Sequence, residues 1–304
     1  MPQITDTIMM VRPANFGYNS ETAANNSFQS EEGKDAIDVI RSSAIQEFNN
    51  MVRILNEKGI DTIVIEDSPE PIKTDAVFPN NWISFHRDGV IVTYPMWAES
   101  RRHERSEDIV RQMSKFLDSD RRYSFEHFEE SNMFLEGTGS MILDRENKIV
   151  YACLSPRTDI RMLDKFCVLM AYTPIVFYAK DRNGEDIYHT NVMMALGEDF
   201  AVVCLDSITN PNELLKLKTS LEETGKHIIK ISSEQVESFA GNMLQVTSKE
   251  GETYLVMSQT AFTSLSKDQI EAIEQFTKIL PIPIPIIEKF GGGSVRCMMA
   301  EVFV

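Results

Sequence analysis

One rhythm constrains this chain more than any other feature: a strand pair, a helix and a strand, four times in succession. Two apolar runs across a short turn read as a hairpin, and apolar residues three and four apart read as a helix. The first unit is the hairpin Trp82–Phe85 and Val90–Tyr94 across Arg87-Asp88-Gly89, a helix near Glu104–Leu117 and a strand near Tyr123–Phe125. The second runs through Ser140–Leu143, Ile149–Cys153, Ile160–Met170 and Pro174–Tyr178. The third is Val192–Leu196, Phe200–Cys204, Asn212–Glu223 and His227–Ile231, and the fourth Met243–Thr247, Tyr254–Met257, Lys267–Lys278 and Ile282–Ile287. A strand over Val295–Phe303 opens a fifth unit. The strand at 8–12, a long helix from Asp35 to Lys58 and the strand Ile63–Ile65 would complete it.

First strands therefore recur at a spacing of about 50–60 residues, the kind of period found in radial or solenoid repetition. A unit shared between the two chain ends suggests closure into a ring, as propellers do. The expectation is one α/β domain over residues 1–304 whose fifth module joins both ends; chance alternation of strands and helices is the competing reading. Pro281-Ile282-Pro283-Ile284-Pro285 alternates apolar residues with proline, which places that strand at an edge where missing donors are tolerated.

Composition narrows the class. With 304 residues, 42% hydrophobic and 25% charged, the chain can bury a sizeable core. A formal charge of −16 argues against nucleic acid or anionic membranes as partners. Cys153, Cys167, Cys204 and Cys297 show no CxxC pairing, so neither a zinc site nor a disulfide framework is expected. The first residues lack a basic stretch and an apolar core, and no apolar run reaches the roughly 18–20 residues of a spanning helix. A reducing cytoplasm is the expected compartment.

Polar residues collect just before each first strand: Asn80-Asn81, Glu136, His189 with Asn191, Asn242 and Cys297. In a closed ring of similar units these positions converge on the axis. A thiol, an imidazole, a carboxylate and several amides would share one pocket, as thiolate chemistry requires. The glycines of Gly291-Gly292-Gly293 would form its floor, and Cys297 would follow in an apolar run that reads as a strand. A buried structural cysteine is the alternative. Of the five histidines only His189 occupies the repeated position; His86 falls in a turn, and a solvated or structural role is the alternative for each. Glu136, flanked by Phe134 and Leu135, reads as buried, against the alternative of a surface loop.

At these residues the sequence resembles the guanidino-group modifying enzymes, the pentein superfamily. The likeness runs from Phe78-Pro79-Asn80-Asn81 to the terminal Gly-Gly-Gly-Ser-Val-Arg-Cys. It implies a five-bladed pseudosymmetric α/β propeller of ββαβ modules. It further implies that Cys297 is the nucleophile, His189 the general acid and base, and Glu136 the carboxylate that binds the substrate's nitrogen end. Arg157, in Leu154-Ser155-Pro156-Arg157-Thr158, and Arg101 resemble the arginines that hold the substrate carboxylate, with Arg102 a rival to Arg101. Asp75 matches an aspartate that holds the same end of the substrate.

The departures from the family pattern point to a substrate. Related enzymes carry aspartates where this chain has Asn81 and Asn191, and those aspartates clamp a cationic guanidinium. Amides remove two negative charges and add donors, which suits a neutral group presenting a carbonyl oxygen. The resemblance is therefore nearest to the citrulline-utilisation hydrolases. The expected reaction is hydrolysis of a ureido group, with citrulline or an analogue giving ornithine, carbon dioxide and ammonia. Asn81, Asn191 and Asn242 would bind substrate, no metal or other cofactor would be needed, and a homodimer is the assembly the chain could form. Three alternatives stay open: an arginine or methylated-arginine hydrolase, an amidinotransferase, and a non-catalytic pentein used as a binding platform.

Overall fold

A computed structural model describes residues 2–303 of the chain. β1 (Thr7–Arg12) and β2 (Asp61–Glu66) belong to a sheet completed from the far end of the chain. β3 (Ile83–His86), β4 (Val90–Thr93) and β5 (Arg122–Ser124) form the next sheet. The pattern returns in β6 (Ile142–Asp144), β7 (Ile149–Cys153) and β8 (Thr173–Phe177), and in β9 (Met194–Leu196), β10 (Phe200–Val203) and β11 (His227–Lys230). β12 (Leu244–Thr247), β13 (Thr253–Ser258) and β14 (Lys278–Ile282) make the fourth, and β15 (Ala300–Val302) lies against β1 in the order β15-β1-β2. Over the described residues the chain is thus a mixed α/β fold with five three-stranded sheets.

Each sheet follows one plan. Two strands pair antiparallel, and the third lies parallel to the middle one. A parallel strand needs a crossover, which the helix between second and third strands provides. The helix Ile37–Glu57 shows how such a crossover is held. Ile40, Ala44, Phe48, Met51 and Leu55 recur at spacings of three and four and are buried. They share a core with Ile8 and Met10 of β1 and with Val246, Val256 and Leu280 of the β12–β14 sheet. Each large apolar side chain so buried contributes roughly 1.5–3 kcal/mol relative to exposure.

Several expected boundaries move. The first strands begin at Ile142 and Met194, because Gly137–Ser140 and Thr190–Met193 form single helical turns ahead of them. The helix expected near 104–117 divides into Glu99–Arg102 and Glu107–Phe116, the second capped by Ser106. The helix expected to reach Lys278 ends at Glu274, and its strand runs over Lys278–Ile282. Residues 285–287 turn into the helix Pro285–Gly291 instead, with Pro285 in the first turn, where a missing N–H costs nothing. β14 is an edge strand, in keeping with Pro281 inside it. His86 lies in β3, buried, with Nε2 2.7 Å from Ser84 Oγ, rather than in a turn.

The turn Gly137–Ser140 touches both Pro79–Asn81 and Thr190–Met193, while β15 packs beside β3 and β9 beside β6 and β12. The chain segments ahead of the first strands therefore meet. No helix among the described residues is long and apolar enough to cross a membrane.

Candidate active site

Cys297 sits in a turn ahead of β15, its N–H donating to the Ser294 carbonyl at 3.0 Å. The strand expected from Val295 is shorter and starts at Ala300, so the sulfur is carried by a turn, free of a ladder. Gly292 ends the preceding helix in the left-handed region at φ 61°, which costs glycine nothing. Two amides reach the sulfur: Nδ2 of Asn191 lies 3.5 Å from Sγ and Nδ2 of Asn242 lies 3.3 Å from it.

His189 and Glu136 stand together. Nε2 of His189 is 2.8 Å from Oε2 of Glu136, and Oε1 of Glu136 accepts the backbone N–H of Trp97 at 2.9 Å. The guanidinium of Arg157 approaches Oε2 at 3.6 Å. Burial works against the Glu136 charge, and Arg157, His189 and Arg101 outweigh it, bringing the carboxyl down to about 2. Desolvation is the larger influence on His189; Glu136 opposes it without overcoming it, and the imidazole falls to about 4. At neutral pH the pair is therefore carboxylate and neutral imidazole. A carboxylate only accepts, so Nε2 carries the proton and Nδ1 keeps its lone pair. Glu136 is expected to bind substrate nitrogen; in the structure its two oxygens accept from Trp97 N–H and meet His189 Nε2.

Arg101 is buried and bound bidentately to Glu104, with both contacts at 2.8 Å. Burial opposes its charge, but Glu104, Asp75 and Glu136 together raise the guanidinium above its ordinary range. Its Nη1 donates to Oδ1 of Asn81 at 2.8 Å. That leaves Nδ2 of Asn81 buried without a partner. Oδ1 of Asn191 and Oδ1 of Asp75 are likewise buried and unpartnered. Oδ2 of Asp75 accepts from Asn19 at 2.8 Å and lies 3.8 Å from Arg101. Burial pushes the Asp75 carboxyl upward against the pull of Arg101. Arg157 donates through Nε and Nη2 to Oδ1 of Asn25 and through Nη2 to the Thr22 carbonyl, and its guanidinium lies 4.7 Å over the Tyr188 ring.

These groups surround a cavity of about 20 Å³, room for about one water. Asp75, Asn81, Arg101, Arg157, His189 and Cys297 line it, with the three glycines 291–293. Asn191 and Asn242 stand at the sulfur, and Glu136 backs the imidazole. Arg102 does not belong to the cavity; it is partly exposed and bonds the carbonyls of Met96 and Trp97. Asn80 is fully buried with both amide atoms unpartnered, outside the cavity lining. Three groups of contributors escaped the sequence: Glu104, the Trp97 N–H, and the segment 19–29, which roofs the cavity through Thr22, Asn26 and Gln29. That segment reads only as a polar Asn/Ser-rich loop. Its clustered Asn19, Asn25 and Asn26 were the one available signal. Among the described residues no group of acids, histidines and cysteines could hold a metal.

Fold and site bring a thiol, an imidazole hydrogen-bonded to a carboxylate, and two amides into one place. Residues 12–304 match the family described as N,N dimethylarginine dimethylhydrolase, eukaryotic, and the chain belongs to that family. Among solved structures, ArgZ, an arginine dihydrolase of the ornithine-ammonia cycle in cyanobacteria, is 14% identical at a TM-score of 0.71; the alignment covers 97% of this chain and 40% of that one. Its isolated N-terminal domain, covalently bound to a reaction intermediate, matches at 14% identity and 0.72 over 98% of this chain and 97% of the other. DDAH from Pseudomonas aeruginosa, a cysteine-to-serine variant complexed with citrulline, matches at 16% and 0.69 over 98% and 99%. This chain spans about 40% of the full-length cyanobacterial enzyme, and identities this low speak for the fold alone. No curated protein sequence matches the chain.

Proposed function

We propose that the chain hydrolyses the ureido group of citrulline or a close analogue, using Cys297 as nucleophile. One observation carries the substrate choice: Asn81 Nδ2 and Asn191 Oδ1 are a buried donor and a buried acceptor, both unpartnered. A guanidinium donates and never accepts, so it would leave the Asn81 donor without a partner. A ureido group offers a carbonyl oxygen to Asn81 and N–H groups to Asn191. The free Oδ1 of Asp75 suits the α-ammonium, and Arg157 suits the α-carboxylate. Arg101, its fork closed by Glu104, contributes charge and orients Asn81. In this reading the five sheets are blades of one propeller domain around the cavity, its fifth blade shared between the chain ends. The contact between β15 and β3 favours that closure.

Cys297 gives its proton to Nδ1 of His189, and the thiolate attacks the ureido carbon. Negative charge moves to the oxygen, where the Asn81 donor stabilises it. The imidazolium protonates the departing nitrogen as the C–N bond breaks. With ornithine leaving, an S-carbamoyl enzyme remains. His189 then takes a proton from water, the hydroxide displaces the thiolate, and the carbamate falls to carbon dioxide and ammonia.

The family description favours a second reading, a methylated-arginine substrate. Incubating the protein with citrulline, arginine and dimethylarginine separates the two. Ornithine from citrulline supports the proposal, while citrulline from either guanidino substrate, with citrulline itself untouched, overturns it.

A further inference from the structure

Asn242 immediately precedes Met243 and β12 in the fourth unit, and every hydrogen-bonding end of its amide faces protein. Nδ2 donates to Sγ of Cys297 at 3.3 Å and to the Asn191 carbonyl at 3.2 Å. Oδ1 accepts the backbone N–H of Arg296 at 3.1 Å. A primary amide has two N–H donors, and here both are spent, so nothing remains to donate to a substrate. Its place in the repeat suggested substrate binding; its bonds tie the third unit, the fourth unit and the cysteine turn together.

We propose that Asn242 holds the nucleophile: Oδ1 fixes the backbone just before Cys297, and Nδ2 supplies a hydrogen bond to the sulfur as a thiolate. The sulfur is largely withdrawn from water, and a charge withdrawn from water needs donors. Asn191 provides the second at 3.5 Å. The close approach behind this arrangement is built into the neighbouring residue. A Cβ at Gly241 would lie 2.2 Å from the Val192 carbonyl oxygen, so only glycine brings the chain near enough for Asn242 to reach across. The other titratable or charged groups around the cavity are His189, Glu136, Arg101, Arg157, Asp75 and Tyr188. None of them is bonded to Sγ, which among the described residues leaves the two amides as its direct partners.

The inference rests on Cys297 being the nucleophile, and the test separates the two claims. Iodoacetamide alkylation of Cys297 is followed by intact mass against pH in the full chain, with Cys297→Ala identifying the labelled site. Asn242→Asp is nearly isosteric but sets a carboxylate oxygen against the sulfur; Asn242→Ala removes the donor without adding charge. Labelling at neutral pH should slow about tenfold or more in Asn242→Asp and about threefold or more in Asn242→Ala, the aspartate profile moving to higher pH. For citrulline, kcat should fall in parallel while KM stays within about twofold, because no substrate contact is lost. Labelling of either folded variant at the wild-type rate overturns the proposal, as does a raised KM with unchanged labelling. Full turnover by Cys297→Ala would instead overturn the nucleophile.

Discussion

Arg101 donates to Oδ1 of Asn81 at 2.8 Å, and that single bond turns the amide so that Nδ2 faces the cavity. The charge on Arg101 is secured in turn by Glu104. A buried arginine thus decides that the cavity meets its ligand with a donor. In the proposed ureido substrate the carbonyl oxygen would be the complementary partner, and the acceptor at Asn191 would complete the pair.

Exchanging Asn81 for aspartate, alone or with Asn191→Asp, should therefore abolish the match. The oxyanion would face a carboxylate in place of a donor. Loss of one such buried hydrogen bond costs about 1–3 kcal/mol, or roughly 10–100-fold in kcat/KM for citrulline, and added repulsion deepens the loss. Measuring ornithine release by the double variant checks this, and undiminished turnover would remove the basis for the ureido assignment.

Stability should fall in acid, in two stages. The native imidazole of His189 titrates at about 4 against an ordinary 6.5, so the unfolded chain binds more protons between those values. Stability is fully present above 6.5 and drains away as the pH drops through about 4. Glu136, at about 2 against an ordinary 4.5, carries the loss further down. Thermal melting of wild type should show Tm falling below pH 6.5, and His189→Asn should shrink the upper stage, leaving the share of His86, whose imidazole burial also holds well below its ordinary range. A Tm constant from pH 7 to pH 5 would contradict it.

Much of this was legible in the sequence, and the misses have physical causes. The hairpins and helices announce themselves because alternation and helical spacing persist over enough residues. Val192 and Met193 were read as strand because a single helical turn is too short to show any period. Pro285 fits an edge strand and a helix's first turn equally well, so the alternating prolines could not choose. Cys297, His189 and Glu136 share a place in the repeat, and the structure brings them close together. Asn191 and Asn242, which reach the sulfur, share that place too, whereas Glu104, Asn25 and the Trp97 N–H lie outside it, because satisfaction of a buried charge depends on closure in space. Nothing near Arg157 in the chain foretells Asn25, and nothing near Asn81 foretells Arg101.

The bond between Arg157 and Asn25 leads to a prediction of opposite sign. Oδ1 of Asn25 accepts from Nε at 3.1 Å and also from Nη2, the edge a substrate carboxylate would take. Asn25→Ala removes the competitor from the unliganded state and leaves the charge in place. KM for citrulline should fall about threefold to tenfold, corresponding to roughly 1 kcal/mol, with kcat nearly unchanged. An N-alkylurea without a carboxylate should show no such gain. Steady-state kinetics with both compounds decides, and an unaltered citrulline KM would separate Asn25 from carboxylate binding.

Gly139 offers the sharpest steric test, because a Cβ there would lie 2.5 Å from Asn81 Nδ2 and 2.8 Å from His189 Nδ1. In the proposed reaction these would be the donor for the oxyanion and the nitrogen that moves the proton. Both are packed too tightly to yield freely, since Arg101 holds the amide and Glu136 holds the ring. A methyl group at Gly139 must displace at least one of them by several tenths of an ångström. Displacements of about 1 Å at reacting groups cost on the order of a hundredfold in rate, so the smaller shift in Gly139→Ala should lower kcat/KM by about tenfold. Overpacking should cost about 1–3 kcal/mol of stability, visible as a lowered Tm in a chain that still folds. Gly139→Ala at full rate would mean that Asn81 and His189 do not meet the substrate from these positions.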